Sequence, residues 1–225
     1  MRYRNTALAA FLLAAASVHA QDINGIALGS NINEAKDKIQ ALNKNYQITE
    51  QTYENKNIAE LSAVDGANKF VVAATSDGKV WFLYKKTLYP SDMRPSFDKV
   101  KQAIIDKYGK PSAADRDASM VWAFSPSGKQ GGNPHRTPFT CVNMLDKMNN
   151  PFDSFIPGEV YSDCGVAIQV ETTVFNEMVN DYTITIAASK STYDEWQKEA
   201  ADAKAKQQQR IEAEKNKTKD MKIDI

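Results

Sequence analysis

Residues 69–89 read KFVVAATSDGKVWFLYKKTLY and carry the strongest short-range folding signal in the chain. Two runs rich in β-branched and aromatic residues, 69–75 and 79–89, flank Ser76-Asp77-Gly78. Asp-Gly favours the backbone angles of a tight hairpin turn, and β-branched and aromatic side chains pack well on a pleated surface. This stretch therefore predicts an antiparallel β-hairpin, around which the neighbouring segments are interpreted.

The segment before the hairpin predicts a helix over residues 31–42. Asn31 and Glu34 have the spacing of a capping box, which satisfies the free N–H groups of a first helical turn. Apolar residues then recur three and four positions apart, as on one helix face: Ile32, Ala35, Ile39 and Leu42. We expect this face to pack on the sheet.

Two alternating runs, 46–53 and 58–64, lie between this helix and the hairpin, with an Asn/Lys turn at 54–57 between them. Alternation of apolar and polar residues is typical of half-buried strands. Residues 21–90 are therefore expected to form one helix followed by four antiparallel strands.

A second helix is predicted to begin at Pro95 or Ser96 and to run to Tyr108. Gly109 followed by Pro111 is a typical helix end, because glycine adopts the terminal left-handed conformation and proline cannot continue the helix. The apolar residues of this segment also share one helical face: Phe97, Val100, Ile104 and Tyr108.

The residues after this helix predict about four more strands, so that 91–190 has the same element order as 21–90. A Pro/Gly-rich loop at 125–138 interrupts them, and a turn is expected at Asn180-Asp181. The expected strands are 120–124, 139–144, 165–174 and 182–189. The predicted fold class is α+β, with two tandem helix-plus-four-strand antiparallel units and then a C-terminal helix.

The C-terminal segment, 191–225, is expected to be a charged helix that continues as a disordered tail. Thr192 and Glu195 have the spacing of a capping box, and a short apolar stripe follows. That stripe consists of Tyr193, Trp196, Ala200 and Ala203. From Lys204 onward no apolar face remains. Residues 191–225 together hold eight basic and eight acidic residues. Without a sustained heptad repeat, a coiled-coil or partner-binding helix is the less favoured interpretation.

The first twenty residues predict a secretory signal peptide. Arg2 and Arg4 precede the apolar run ALAAFLLAAA, and Val18-His19-Ala20 ends in small residues at a cleavage position. This run is shorter than the roughly 20 residues that cross a bilayer. We expect cleavage after Ala20 and a periplasmic or secreted protein with no transmembrane segment. Because Gln21 and not a cysteine follows, no lipid anchor is expected.

Cleavage would take Arg2 and Arg4 from the 28 basic residues, leaving 26 against 28 acidic ones. Nucleic-acid binders usually carry a basic surface, so a nucleic-acid partner is not expected. The two cysteines, Cys141 and Cys164, form an even pair in a chain expected to be exported. In an oxidising compartment such a pair predicts a structural disulfide.

Few catalytic signatures occur in the sequence. It lacks HExxH, CxxCH and G-x-S-x-G, so no metal centre, no cofactor and no catalytic residue is predicted. The alternative is a small hydrolase or ligand-binding protein that uses the 125–165 region. There His135, with Tyr161, Ser162 and Asp163, would converge beside the disulfide.

The aromatic residues give a second kind of candidate site. Trp81 alternates with Phe82 along the hairpin strand, so both sheet faces would carry large side chains. Exposed Tyr and Trp bind partners well, since they bury much area at a small loss of conformational entropy. The predicted binding residues on an open sheet face are Tyr53, Trp81, Tyr84, Trp122 and Tyr182.

Gly25-Ile26-Ala27-Leu28-Gly29-Ser30, followed by Glu34-Ala35, resembles the opening of a class of small bacterial envelope proteins. This class includes the small lipoprotein of the outer-membrane protein assembly machinery and the secreted β-lactamase inhibitor protein. The resemblance implies a glycine-bounded strand that enters a helix packed on an antiparallel sheet. For the inhibitor-like members it implies two helix–sheet units in one concave sheet, with helices on one face and target-binding aromatic side chains.

These observations together predict an exported protein that is not an enzyme. It would bind an unknown protein or cell-envelope component through an aromatic sheet face. A purely structural envelope protein, tethered to its partners by the charged tail, is a third hypothesis.

Overall fold

The computed structural model describes residues 21–54, 56–115, 119–131, 141 and 160–218. The predicted signal segment lies outside these residues, as do His135 and most of the loop between the cysteines. The described part is an α+β fold, as expected, with one large antiparallel sheet, two helices of ordinary length and a long C-terminal helix.

Three helices and ten strands have their bounds within the described residues. The helices are α1 (Ile32–Leu42), α2 (Phe97–Tyr108) and α3 (Ser189–Thr218). The strands are β1 (Asp22–Ile23), β2 (Ile26–Ala27), β3 (Gln47–Thr52), β4 (Ile58–Asp65), β5 (Asn68–Ala74), β6 (Val80–Leu88), β7 (Ala113–Asp115), β8 (Ser119–Phe124), β9 (Val166–Phe175) and β10 (Met178–Ala188).

Eight of these strands form one sheet in the order β3-β4-β5-β6-β10-β9-β8-β7, and β1 and β2 form a separate small hairpin. Every neighbouring pair in the sheet is antiparallel. The predicted hairpin of residues 69–89 is its β5–β6 pair. Gly78 adopts φ +82° in the turn, and its N–H donates to the Thr75 carbonyl at 2.8 Å. Positive φ at this turn position is the reason that glycine suits it.

Helices α1 and α2 cover the same face of the sheet, which we call the first face. The predicted apolar faces of both helices point inward, except that Leu42 is 46% exposed at the end of α1. Side chains alternate between the two faces along the regular parts of the strands, and those on the first face form one core with these helices. The largest of them are Phe70, Leu61, Leu83, Met120 and Trp122.

Both helix starts agree with the sequence prediction to within a residue. The Asn31 side chain caps α1 by accepting a hydrogen bond from the Asn33 N–H at 2.8 Å. Helix α2 ends at Tyr108, and Gly109 follows with φ +80° and ψ −171°, which is not the expected left-handed helical conformation but an extended one with positive φ that is essentially restricted to glycine. In α1, the Asn31 side-chain oxygen thus satisfies the Asn33 N–H, which has no acceptor within the first helical turn.

The structure differs from the sequence prediction at three places in the second half. The turn between the last two strands lies at Asn176-Glu177, both with positive φ, and not at Asn180-Asp181, where β10 instead has a register irregularity. Of the strand expected at 139–144, only Cys141 belongs to the described residues, and it is helical; short apolar runs do not distinguish the two. The strand β7 at the sheet edge was not predicted, because its three residues are too few to show alternation.

The C-terminal helix also differs from its prediction. It begins at Ser189, directly after β10, so Thr192 is not its cap; the Thr192 hydroxyl instead donates to the Ala188 carbonyl at 2.6 Å. The helix continues to Thr218, and residues 197–217 are exposed. Exposed Lys, Glu, Gln and Ala are good helix formers, which explains why the helix extends past the last apolar contact.

Cys141 and Cys164 form the predicted disulfide, with their Cα atoms 5.3 Å apart. Both cysteines are fully buried on the sheet face opposite α1 and α2, which we call the second face. The bridge fixes the start of β9, where Gly165 passes so close to Ser125 that it has no room for a side chain.

Replacing both Cys141 and Cys164 with serine is expected to lower the free energy of unfolding by about 3 kcal/mol, since the bridge closes a loop of moderate length in the unfolded chain. Urea unfolding of the wild type with and without reductant, beside the double variant, measures this loss. The reduced wild type should match the double variant. A midpoint unaffected by reductant would contradict a stabilising disulfide.

Gly165→Ala is expected to destabilise the fold by on the order of 3 kcal/mol, because a Cβ there would collide with the Ser125 backbone carbonyl. Gly66→Ala is the matched control: its Cβ would meet no atom within 4 Å, and only its left-handed backbone disfavours alanine, by about 1 kcal/mol. Chemical denaturation of both variants measures the two losses of unfolding free energy. Equal losses would show that the close approach at Gly165 does not exist.

Candidate functional site

A β-bulge in β6 arranges the large side chains of the second face. Ala73 pairs with Phe82 and Ala74 pairs with Val80, so Trp81 is an extra residue without a partner on β5. The expected alternation placed Trp81 and Phe82 on opposite faces. The bulge instead puts both in the second-face cluster, with Tyr84, because one inserted residue shifts the pleat by one position.

The first turns of α3 cover this end of the second face. Tyr193 and Trp196 pack against the cluster, and the Trp196 ring meets the Trp81 ring edge-on, with centroids 5.8 Å apart. Edge-to-face contact is a favoured geometry for aromatic pairs. Because α3 begins where β10 ends, no loop separates the sheet from this covering helix.

Ser189 joins α3 to the segment that carries the disulfide. Its hydroxyl accepts a hydrogen bond from the Tyr161 N–H at 2.6 Å and donates one to the Tyr161 carbonyl at 3.0 Å. Its own N–H donates to the Gly165 carbonyl at 2.9 Å. Ser189 is completely buried, so these bonds are shielded from water. The start of α3, the disulfide segment and β9 are therefore held together at one place.

A cavity of about 650 Å³ lies at this place. Its apolar walls come from the residue after β2, the start of β6 and the end of β8, and its polar walls from the first turn of α3. The principal lining residues are Leu28, Lys79, Trp81, Phe124, Lys190 and Glu195. A volume of this size is within the usual range for small-molecule sites, about 300–1,000 Å³.

Three buried polar atoms on the second face have no hydrogen-bond partner among the described residues. They are the Trp81 Nε1, the Glu60 Oε2 and the Gln169 Oε1. Burial raises the pKa of the Glu60 carboxyl, while nearby Lys69 opposes the change. Trp81 is the only one of these three that lines the cavity, and it is just 2% exposed.

Charged side chains form pairs at the cavity rim. Lys79 contacts the Asp77 carboxylate at 2.5 Å, and Lys190 pairs with Asp194 one helical turn later. Burial and the neighbouring Asp77 and Glu199 charges raise the pKa of Glu195. The rim therefore offers both signs of charge, in pairs that remain largely open to solvent.

The predicted aromatic residues do not form one surface. Trp81 and Tyr84 lie on the second face and are 2% and 4% exposed. Trp122 lies on the first face beneath α2 and is fully buried, with its Nε1 donating to the Gly109 carbonyl at 3.0 Å. The sheet face that we expected to be open is therefore covered at these three positions.

The other two aromatic residues are half-buried. The Tyr53 hydroxyl donates to the Ala74 carbonyl at 2.8 Å, beside the cavity end of the second face. Tyr182 lies on the first face, where its ring centroid is 6.0 Å from that of Tyr89. Of the five predicted residues, only Tyr53 and Trp81 are thus associated with the cavity region. A binding role for any of the five stays a prediction.

The structure describes only some of the residues on which the hydrolase hypothesis depends. Tyr161 is half-buried, Ser162 and Asp163 are exposed, and His135 lies outside the described residues. Their convergence stays a prediction. Within the residues the structure describes, no group of three or more His, Cys, Asp and Glu side chains is arranged to hold a metal ion.

Sequence reasoning missed the cavity for an identifiable reason. Its residues come from five separate parts of the chain, and the bulge that turns Trp81 toward Phe82's face leaves no clear pattern in residues 79–89. The one available signal was the tight succession of large residues in Val80-Trp81-Phe82, which a regular strand would divide between two faces.

Comparisons with known proteins do not assign this site. None of the protein-family models, curated proteins or solved structures compared with the chain matches it. Among the helices in the described part of the chain, none combines the length and apolar character needed to cross a membrane.

The Tyr84 hydroxyl gives the second face a distinct pH response. Burial raises the pKa of this phenol to about 12 from a usual value of 10.0, and Glu171 and Asp181 add to the effect. The folded state therefore favours the neutral phenol. The neutral Tyr84 phenol makes its full contribution to the unfolding free energy below pH 10.0, and this contribution is lost as the pH rises toward 12.

Tyr84→Phe is expected to remove this alkaline loss of stability. Between pH 10 and pH 12 the variant should lose about 2–3 kcal/mol less unfolding free energy than the wild type, at about 1.4 kcal/mol per pKa unit. Urea unfolding across this pH range measures the difference, with Tyr193→Phe as a control that keeps Tyr84. Parallel curves for Tyr84→Phe and the wild type would contradict the burial of this hydroxyl.

Proposed function

We propose that the protein is an exported, non-catalytic binding protein that engages a protein or cell-envelope component. Its binding surface would be the α3 end of the second face, around the cavity. The observation that carries this proposal is Trp81, which lines the cavity and whose buried indole N–H has no partner among the described residues. Folded proteins seldom leave such donors unused.

The proposed export rests on the signal segment and on the disulfide. A disulfide between Cys141 and Cys164 is compatible with an oxidising compartment, where such bonds persist. We propose cleavage after Ala20 and a periplasmic or secreted location.

We also propose that the sheet consists of two tandem units. Helix α1 precedes β3 to β6, and helix α2 precedes β7 to β10, which supports this division. The two sets of strands lie in opposite order across the sheet and meet at β6 and β10. This is the element order that the resemblance to inhibitor-like envelope proteins implies, and in such a sheet the face opposite α1 and α2 would be concave and would hold the partner.

The chemistry of the second face supports binding more than catalysis. Its described side chains around the cavity supply apolar packing, single hydrogen-bond donors and surface ion pairs. Aromatic residues next to partly desolvated polar groups are the usual anchors of protein interfaces. Tyr53, half-buried beside this region, would be such an anchor.

Photocrosslinking in intact cells tests this proposal. A photoreactive amino acid replaces either Lys79, at the cavity rim, or Lys99, exposed on α2 at the first face. We expect one discrete adduct, identified by mass spectrometry, from position 79 and none from position 99. No adduct from position 79, or the same adduct from both, would contradict a partner site on the second face.

A pair of tyrosine variants tests whether the position-79 adduct depends on Tyr53. Tyr53→Ala should reduce the position-79 adduct by about tenfold, because an interface aromatic contributes on the order of 1–2 kcal/mol. Tyr182→Ala, on the first face, is the matched control and should leave it unchanged. An equal effect of both variants would show that the adduct reports general unfolding rather than a specific partner.

A further inference from the structure

A second cavity, of about 250 Å³, lies between α2 and β10 on the first face. Tyr182 and Ile184 of β10 line it from the sheet, together with Tyr89, which follows β6. Tyr89 and Tyr182 are half-buried, so part of each side chain remains open to solvent. This cavity shares no described lining residue with the one beside Trp81, which is on the opposite face of the sheet.

Helix α2 supplies the facing wall with one row of its side chains. Lys99, Ala103 and Lys107 are four residues apart, which places them along one side of the helix, and all three line the cavity. The three residues are exposed, whereas Val100 and Ile104 beside them are buried against the sheet. Ala103 contributes only a methyl group between the two lysines, so the side chains of this wall are shortest there.

The charges beside the cavity favour an anion. Lys99 and Lys107 line it, and none of its described lining residues is acidic. Lys107 pairs with Asp22 of β1 at 2.9 Å, whereas Lys99 has no ion pair within the part of the chain that the structure describes. The charged side chains of the wall thus leave one positive charge without a counterion, which is complementary to a ligand with a single negative charge.

The two tyrosines favour an aromatic ligand. Their ring centroids are 6.0 Å apart and their planes are inclined by 39°. Aromatic rings prefer tilted or offset contacts with one another, so a third ring packs favourably beside this pair. The Tyr89 and Tyr182 hydroxyls are hydrogen-bonded to each other, and two hydroxyls that share one hydrogen bond retain one O–H that can donate to an acceptor.

The size of the cavity limits the ligand. Its volume is just below the usual range of small-molecule sites, about 300–1,000 Å³. One ring with a short acidic side chain therefore suits it better than a larger molecule. Pro95, Val100 and Ile184 supply the apolar surface that such a ring would cover.

We propose that the cavity between α2 and β10 binds a small aromatic carboxylate. Its ring packs against Tyr182 and Ile184, and its carboxylate lies near the Lys99 ammonium group. This site is on the first face, so the inference goes beyond the partner site proposed for the second face and does not depend on it.

Four probes of similar size separate the contributions of charge and ring: phenylacetate, phenylacetamide, 2-phenylethylammonium and cyclohexylacetate. The exported protein is labelled with ¹⁵N, and the amide signals of residues 99–107 and 182–184 are followed during titration. We expect phenylacetate to bind most tightly. Phenylacetamide should bind about fivefold more weakly, as for a partly exposed charge, and cyclohexylacetate a few-fold more weakly, as for a lost ring contact, at about 0.5–1.5 kcal/mol. We expect 2-phenylethylammonium not to move these signals.

A pair of leucine variants tests the position of the ligand. Ala103→Leu should weaken phenylacetate binding by at least about tenfold, because the larger side chain fills the cavity, while leucine keeps the helix propensity of α2. Gln102→Leu is the matched control: residue 102 is also exposed on α2, but it does not line the cavity.

A pair of lysine variants tests the charge. Lys99→Gln should weaken phenylacetate by about fivefold and leave phenylacetamide unchanged. Lys101→Gln is the matched control, since it removes the same charge from α2, and Lys101 lies over the Phe97 ring and not along the cavity.

Several outcomes would overturn this inference. They are no movement of the cavity amide signals with phenylacetate up to its solubility limit, binding of phenylacetamide, 2-phenylethylammonium or cyclohexylacetate as tight as that of phenylacetate, or equal effects of the two variants in either pair. Photocrosslinking at position 79 reports on a protein partner at the second face, and a ligand of this size gives no protein adduct at position 99. Either proposal can therefore fail without the other.

Discussion

The pairing of β6 with β10 is the interaction on which the rest of the structure depends. Seven residue pairs, from Leu88 with Asp181 to Phe82 with Ala187, join two strands that lie far apart in the chain. Without this pairing, β3–β6 and β7–β10 would each end in an open edge, and exposed strand edges promote aggregation. The junction is buried on both sides, with Leu83 and Ile186 on the first face and Tyr84 and Thr185 on the second. Long-range antiparallel pairing thus converts two local sets of strands into one sheet with a shared core.

The same junction determines where the candidate site forms. At one end of it, the bulge in β6 turns Trp81 onto the second face, and β10 leads directly into α3. The helix starts over the bulge, and Ser189 holds it against the disulfide segment by hydrogen bonds to Tyr161 and Gly165. The cavity is the space that remains between these rigid parts. Trp81 is only 2% exposed at this place, and its buried N–H has no hydrogen-bond partner among the described residues.

Local patterns in the sequence predicted most elements but few of their contacts. Helices α1 and α2, the β5–β6 hairpin and the disulfide follow from spacing, capping residues, Asp-Gly and cysteine count, all of which act over short distances. The binding face did not follow, since Trp122 is buried under α2 and Trp81 under α3, and no periodicity tells which helix covers which sheet face. The bulge and the turn at Asn176-Glu177 were also missed, because neither has the glycine that usually marks such backbone conformations.

Residue-level hydrogen exchange of the native protein tests the central claim that one sheet unites both halves of the chain. If β6 and β10 pair at its centre, the amides of residues 82–88 and 181–187 that bond across the junction exchange only through global unfolding. The expected result is that these amides share the highest protection free energy in the molecule and respond equally to added denaturant. Protection that differs between the two strands, or that is lower at the junction than within the β5–β6 hairpin, would show that the halves fold separately and would contradict this structure.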